Sequence, residues 1–372
     1  MPAKPSPPSG VATALELAVQ ALFFSSPQLR LGCVLISANG SILGGGCTQH
    51  LGAVHAEVMA LRDAAGKNHD VRGATAFVTL EPCSHHGLTG SCCDALIQAG
   101  IAKVVASITD PNPLVAGQGF DRLRAAGIDV EVGDGAEESR ELDIGFFSRM
   151  IRGTPWVRLK AAASLDGATA LNNGASQWIT SRAARADGHA WRARACAVLT
   201  GIGTVLDDNP RLDVREVATP RQPHVVVVDS QMQTPPDANL FLAKRECYIY
   251  TAIQDNSKKA ALEASGAQVI YMPHASSGKV DLFAMLRDLG QRGINELHVE
   301  AGHKLNGSLV REGLVDELLV YLAPRLLGQG LGIAHFGPLD ALADGLALEF
   351  KSVDMLGPDL RIVARVVGRD RF

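Results

Sequence analysis

Residues 74–99 read ATAFVTLEPCSHHGLTGSCCDALIQA. Ala76 to Leu80 is a short apolar run suited to a buried strand, and the chain leaves it at Pro82, which cannot donate to a ladder. Cys92 to Ala99 has helical character. One cysteine, Cys83, therefore stands just past a strand, and a second, Cys92, opens a helix nine positions later. Upstream, His55-Ala56-Glu57 heads another helical stretch, Val54 to Ala64. An imidazole, a carboxylate and two thiols in this order form a zinc-deaminase constellation. Catalytic zinc commonly takes three protein ligands and leaves a fourth position to water, whose pKa it lowers toward neutrality. His55, Cys83 and Cys92 are the expected ligands. A carboxylate that does not bind the metal must then carry protons between water, ring and leaving amine, and Glu57 fits that role.

The bland alternative makes His55 a surface residue and Cys83 and Cys92 small core residues, the usual fate of isolated cysteines. The joint order of His-Ala-Glu, Pro-Cys and a helix-starting cysteine is more specific than any one of them. Of the adjacent pair, only one thiol can readily face a metal, so Cys92 is read as ligand and Cys93 as packing. Cys33, Cys47, Cys196 and Cys247 lack partners at ligand spacing and read as core.

Working outward, Ala12 to Phe24 reads as a helix, and Cys33 to Ser37 with Ser41 to Gly44 as a hairpin around Asn39-Gly40. Val104 to Ile108 reads as a strand running into the polar turn Asp110-Pro111-Asn112-Pro113. This is an α/β unit. Gly153-Thr154-Pro155 is the expected linker, and a second alternating pattern starts with strand Trp156 to Ala161. Strands are expected at 197–200, 224–229, 247–250, 269–271, 296–300 and 317–322, with helices at 181–194, 258–264, 281–289 and 305–312. Such alternation predicts a largely parallel sheet covered by helices. At 372 residues the chain exceeds the size at which single cores stop growing, so two domains, 1–150 and 151–372, are expected.

Composition narrows the function classes. Hydrophobic residues are 47% and charged residues 20% of the chain, which suits a globular protein and not extended disorder. A net charge of −4 supplies no broad basic field for a nucleic-acid backbone. No apolar run approaches the ~20 residues of a membrane span, and the Pro-rich start is not signal-like. Seven cysteines, an odd number, argue against a disulfide framework. A cytoplasmic enzyme acting on a small molecule, without nucleic-acid or membrane partners, is expected.

The segments TLEPCSHHG (79–87), CCDALIQAGI (92–101) and DPNPLVAGQG (110–119) together resemble the deaminase half of the bifunctional riboflavin-biosynthesis deaminase/reductase, over most of residues 11–147. The resemblance implies a cytidine-deaminase-like three-layer domain, with Asp110 and Asn112 near the pyrimidine and its phosphoribosyl group. Simple turn chemistry is the competing reading of those two residues. The chain departs from the family pattern at Gln28, where an Asn is usual, at Thr48, and in the loop Leu88-Thr89-Gly90-Ser91, where a basic residue and Thr-Pro-Pro are usual.

In the second half, KAAASLDG (160–167), SQWIT (176–180), LTGIGTVLDDNPRLDVR (199–215) and HVEAGHKLNGSLV (298–310) resemble the reductase half of the same family, whose fold is similar to dihydrofolate reductase. A Rossmann dehydrogenase is the alternative, but no Gly-x-Gly-x-x-Gly follows the first strand of either half. The resemblance implies NADPH held by Ala162, Trp178, Thr204, Asp208, Ser230 and the loop Gly302, His303, Lys304, Leu305, Asn306, Gly307 and Ser308. It implies substrate contacts from Ser176, Arg192, Leu212, Arg215 and Glu300, with Lys160 near the reacting ribose. Guanidinium forks suit a phosphate; the competing readings are solvated surface arginines and, for Trp178, core packing. His189, His298 and His303 are read as structural and not catalytic.

The implied activity is zinc-dependent deamination of 2,5-diamino-6-(5-phosphoribosylamino)pyrimidin-4-one, then NADPH-dependent reduction of its ribose to ribitol. A homodimer or higher oligomer is implied as well. Two alternatives stand beside it: a paralogue that uses the same intermediates for a secondary metabolite, with one half changed, and a non-enzymatic zinc scaffold. The scaffold has no use for Glu57, because a structural site needs no proton carrier.

Overall fold

A computed structural model describes residues 9–50, 52–85, 90–113 and 115–372. The chain divides into two compact units, Met1–Ile151 and Arg152–Phe372.

In chain order the first unit contains α1 (Gly10–Gln20), β1 (Gly32–Ile36), β2 (Ile42–Cys47), α2 (Ala56–Gly66), β3 (Thr75–Val78), α3 (Cys92–Gln98), β4 (Lys103–Ala106), α4 (Gln118–Ala125), β5 (Asp129–Val132), α5 (Ala136–Leu142) and α6 (Ile144–Arg152). The sheet order is β2-β1-β3-β4-β5. β1 pairs antiparallel with β2 and β3, while β3, β4 and β5 run parallel. α1 and α5 lie on one face and α2, α3 and α4 on the other, giving three layers. The hairpin at Asn39-Gly40 forms as expected, with Gly40 at φ 85°.

Small residues set how closely α2 approaches the sheet. Ala56, Ala60 and Ala64 recur at i, i+4 and i+8 and are fully buried, one stripe of the helix. They face the glycines of β2. A Cβ at Gly44 would stand 2.5 Å from the Ala60 carbonyl oxygen, so only glycine permits this approach. The N-terminus of α2, which carries His55 and Glu57, is thereby fixed by backbone against backbone.

The second unit contains β6 (Trp156–Ser164), β7 (Ala170–Leu171), α7 (Arg182–Arg194), β8 (Ala197–Gly201), α8 (Ile202–Asp208), β9 (His224–Val228), β10 (Cys247–Thr251), α9 (Asn256–Ala264), β11 (Ala267–Tyr271), α10 (Leu282–Gln291), β12 (Glu296–Val299), α11 (His303–Arg311), β13 (Glu317–Ala323), β14 (Gly330–Leu331), β15 (Leu348–Leu356) and β16 (Asp359–Val366). The main sheet runs β11-β10-β9-β8-β12-β6-β13-β16-β15. The seven strands from β11 to β13 are parallel, as alternation predicts, and β16 and β15 add an antiparallel edge. Helix starts follow capping chemistry: Ser181, Asp255 and Asp281 accept backbone N–H groups at α7, α9 and α10.

The helix expected over 12–24 is shorter and ends at Gln20, where three-residue turn bonds from Ala21, Leu22 and Phe24 to Ala18, Val19 and Ala21 replace the helical pattern. Sequence reading did not anticipate α4, α5, α6, β5, α8, β15 or β16. β5 and β15 are mostly exposed, so neither presents the continuous apolar run that marked the buried strands.

Candidate functional site

His55 is the N-cap of α2, with extended backbone and no side-chain capping bond, which frees its ring for other partners. Cys83 follows Pro82 beyond β3, and Cys92 is the first residue of α3. His55 Nδ1 lies 3.2 Å from Cys92 Sγ and 3.6 Å from Cys83 Sγ, and all three ligand atoms fall within 4.8 Å of one another. Tetrahedral zinc with bonds of ~2.1 Å to nitrogen and ~2.3 Å to sulfur needs N···S separations of roughly 3.6 Å. The residues present therefore fit the metal.

Local bonds fix this spacing. Ser91 caps α3 by accepting from Asp94 N–H and donates to the Cys83 carbonyl oxygen at 3.1 Å, while the Cys92 N–H points at Cys83 Sγ, 3.4 Å away. The Cys93 thiol faces the opposite way, toward the carbonyl oxygens of Pro82 and Gly119 at 3.3 and 3.5 Å.

Donation from Cys92, aided by His55 and opposed by burial, pulls the Cys83 thiol down to about 4, and the same bond, burial and the Glu57 charge push Cys92 up. A divalent metal requires both as thiolates, so its binding releases protons. Glu57 is 4% exposed. Burial and the Cys83 charge raise its carboxyl, with His55 opposing, and its Oε2 has no hydrogen-bond partner among the described residues. A raised, unsatisfied carboxyl beside a metal triad is suited to holding and moving a proton.

Asp110 and Asn112 occupy the turn after β4, with the Asn112 N–H donating to Asp110 Oδ1 at 2.8 Å. Burial pushes the Asp110 carboxyl up to about 6, with the Asn112 N–H opposing it. The departures from the family pattern make backbone bonds. With its amide turned so that the nitrogen faces them, Gln28 donates to the carbonyls of Gln49 and His50 at 3.0 and 3.2 Å, Thr48 Oγ1 accepts from Leu31 N–H at 3.3 Å, and Ser91 caps a helix. Leu88 lies outside the described residues.

In the second unit, Ala162, Thr204, Ser230, Glu300 and the 302–308 segment gather at or beyond the carboxyl ends of β6, β8, β9 and β12, where open α/β sheets bind ligands. The turns after neighbouring strands β8 and β12 pack together: a Cβ at Gly201 would stand 3.2 Å from the Leu305 side chain, and one at Gly302 would stand 3.9 Å from Thr204 Oγ1. Asn306 Nδ2 ties the start of α11 to the carbonyls of Ala301 and Ile333 at 3.2 and 2.9 Å.

Glu300 is the electrostatic centre. Arg192 forks onto both its oxygens, Nη2 to Oε2 at 2.9 Å, and Lys160 Nζ lies 3.7 Å from Oε2. Burial alone would raise its carboxyl, but Arg192 and Lys160 outweigh it and hold Glu300 well below the usual carboxylate range. Burial also lowers Lys160, with Glu300 opposing. Asp213 joins the two expected phosphate arginines, its carbonyl accepting from Arg192 at 3.1 Å and its carboxylate pairing with Arg215. Leu212, at φ 49°, turns its side chain into the apolar core. Asp208 accepts from Gln177 at 3.5 Å, Ser176 is half-buried and Trp178 is 64% exposed with Arg185 above its ring.

Sequence reading missed two features. His298 is fully buried, with Nε2 3.5 Å from Glu300; burial pushes its pKa down to about 3, with Glu300 opposing and Arg158, Lys160 and Arg192 adding to the fall. It is a neutral neighbour of the Glu300 cluster; its place two residues before Glu300 on one strand face was the available signal. Asp166 accepts from the N–H groups of Leu327 and Gly328, pinning the loop after β6 to the loop after β13.

Residues 9–108 match the cytidine and deoxycytidylate deaminase zinc-binding region, and residues 155–362 match the RibD C-terminal domain. The riboflavin biosynthesis protein RibD of Escherichia coli (strain K12) is 44% identical over 363 residues, spanning 94% of this chain and 96% of that one. Its counterpart from Aquifex aeolicus (strain VF5) is 38% identical over 349 residues, spanning 94% and 95%. Among solved structures, Acinetobacter baumannii RibD superposes with a TM-score of 0.88 at 36% identity, covering 96% of this chain and 98% of that one. A diaminohydroxyphosphoribosylaminopyrimidine deaminase/5-amino-6-(5-phosphoribosylamino)uracil reductase from Thermotoga maritima gives 0.84 at 30% identity with the same coverage. With both regions present and whole-length similarity of this order, the chain belongs to the RibD family of bifunctional riboflavin-biosynthesis proteins.

Proposed function

We propose that this enzyme deaminates 2,5-diamino-6-(5-phosphoribosylamino)pyrimidin-4-one in its first unit and reduces the ribose of the product to ribitol in its second. The observation that carries the reading is the coexistence in one chain of a His-Cys-Cys triad beside a buried, unsatisfied Glu57 and an Arg192–Glu300–Lys160 cluster at the ligand-binding edge of a parallel sheet.

His55, Cys83 and Cys92 would hold zinc, which when bound supplies a Lewis acid that makes water nucleophilic near neutral pH. Glu57 would carry the two protons of the attacking water, one to the ring nitrogen and one to the amino group that leaves as ammonia. Asp110 and Asn112 orient the pyrimidine and its phosphoribosyl group. In the second unit Ala162, Trp178, Thr204, Asp208, Ser230 and residues 302–308 would hold NADPH, which when bound supplies the hydride. Glu300, kept ionised by Arg192 and Lys160, orients the ring-opened ribose together with Ser176 and the backbone of Leu212. Arg215 takes the phosphate, and Lys160 holds a proton at Nζ beside the reacting carbon.

Because Gln28, Thr48 and Ser91 are engaged with backbone, loop anchoring accounts for those departures, and the secondary-metabolite alternative gains no support from them. We place the enzyme in the cytoplasm, where seven free cysteines stay reduced, and as a homodimer or higher homo-oligomer. The apolar edge strand β15, with Phe350 and Met355 68% and 63% exposed, supports the second copy. No helix among the described residues is long and apolar enough to cross a membrane.

A two-stage assay tests the whole. Substrate with NADPH should yield ammonia first and NADPH oxidation second. Supplying the deaminated pyrimidine should bypass zinc removal; chelation that abolishes NADPH oxidation of that product would defeat the division of labour.

A further inference from the structure

Glu81 stands two residues before Cys83 and has no part in the roles assigned above. Its side chain is 3% exposed. A buried carboxylate is costly unless hydrogen bonds satisfy it, and three backbone N–H groups do so here. Asp110 and Gly117 donate to Oε2 at 3.2 and 2.9 Å, and Gly119 donates to Oε1 at 2.8 Å. The donors lie at both ends of the turn that bears Asp110 and Asn112, and the last two belong to the start of α4, where a negative charge is favoured.

The same segment is held by shape. Gly117, the N-cap of α4, is left-handed at φ 86°. A Cβ at Gly119 would stand 2.1 Å from the Pro82 carbonyl oxygen, so the loop lies against the chain that leads into Cys83. The Cys93 thiol faces both the Pro82 and the Gly119 carbonyl oxygens, tying α3 to the same junction.

We propose that Glu81 is a positioning residue for deamination: its carboxylate sets the turn carrying Asp110 and Asn112 at a fixed offset from the metal ligand Cys83. It touches neither metal nor substrate. It makes the distance between the metal-binding and substrate-facing groups a property of one side chain. The inference rests on the reading of Asp110 as a substrate contact, and the test separates the two.

The full-length zinc-loaded enzyme is compared as wild type, Glu81→Gln, Asp110→Asn and the double variant. Glu81→Gln replaces one acceptor oxygen by a donor facing N–H groups. It is expected to raise the deaminase KM about 10-fold, the scale of a lost bond to a charged group, with kcat within about two-fold, one zinc per chain retained and NADPH-dependent turnover of deaminated substrate unchanged. Asp110→Asn should also raise KM, and the double variant should be little worse than the worse single one. Glu81→Asp, which keeps the charge but withdraws it, should show a milder loss confined to KM if the Gln variant does not fold. An unchanged KM in Asp110→Asn overturns the reading of Asp110. A raised KM there, combined with no KM change in Glu81→Gln or with multiplicative effects, overturns the positioning role. Loss of zinc or of reductase turnover in Glu81→Gln overturns it too, by showing a merely structural residue.

Discussion

Cys92 and Cys93 are neighbours in the chain, yet their sulfurs serve opposite sides of α3: Cys92 Sγ lies 3.2 Å from His55 Nδ1, while Cys93 Sγ points at the carbonyl oxygens of Pro82 and Gly119. Cys92→Ala is accordingly expected to lose zinc, and Cys93→Ala to keep one zinc per chain with some loss of stability. Elemental analysis of the two purified variants checks this, and the reverse pattern would exchange their roles.

Glu57→Gln removes a proton carrier without removing a ligand. Zinc content should remain at one per chain while deamination falls by a factor of at least ~10², the usual worth of a positioned acid–base group. Turnover near wild type in that variant would refute the proton route.

Arg192→Lys keeps the charge but loses the fork onto Glu300. Reductase kcat/KM is expected to drop about 10- to 100-fold, in line with a lost bond between charged groups, while deamination by the same preparation is unaltered. An equal loss in both activities would indicate misfolding and not a site effect.

A buried ion cluster sits within the second unit. Arg158 binds Glu296 at 2.9 Å and also Glu317, which bonds Arg365 at 3.2 Å; all four are at most 3% exposed. Burial raises the Glu317 carboxyl, but Arg158, with Arg365 and Arg194, outweighs it, and the net shift is downward. A lowered folded value means stability that is present above the ordinary Glu pKa of ~4.3 and lost as pH falls through the folded one. Glu317→Ala should cost about 3–5 kcal/mol by stranding buried cations and should flatten the acid limb of the stability curve. Urea unfolding followed by loss of NADPH turnover across pH 3–6 reads both effects.

Phe350→Lys with Met355→Lys places charges on the exposed apolar face of β15. If that edge joins two copies, light scattering should show the wild-type dimer shift toward monomer, with both sites still folded. An unchanged dimer would move the interface elsewhere.

The parts of the molecule legible in the sequence are those where chemistry and periodicity coincide. Ala76 to Leu80 announced a strand by apolar content, and Cys83 and Cys92 announced a centre by residue type, so the triad was readable without coordinates. Glu81 was not, because a carboxylate satisfied by backbone N–H groups has no partner side chain to betray it. His298 likewise looked like an isolated histidine until β12 set it beside Glu300. β15 escaped notice because Phe350 and Met355 alternate with charged residues on a strand with little burial to pattern it. The roles of Gln28 and Thr48 depended on which backbone groups a loop would bring near them, which spacing does not encode.

The close seating of α2 on β2 has a further consequence. His55 and Glu57 ride on one helical turn, so any displacement of that turn moves the proposed metal ligand and the proposed proton carrier together. The seating is set by Gly44 and Ala60, neither of which belongs to the triad or carries a proton. Variation can therefore accumulate at Gln28, Thr48 and 88–91 while the chemistry stays registered. A single methyl group at Gly44 is the more dangerous change: it should silence metal binding and proton transfer at once, from a position that no inventory of active-site residues would include.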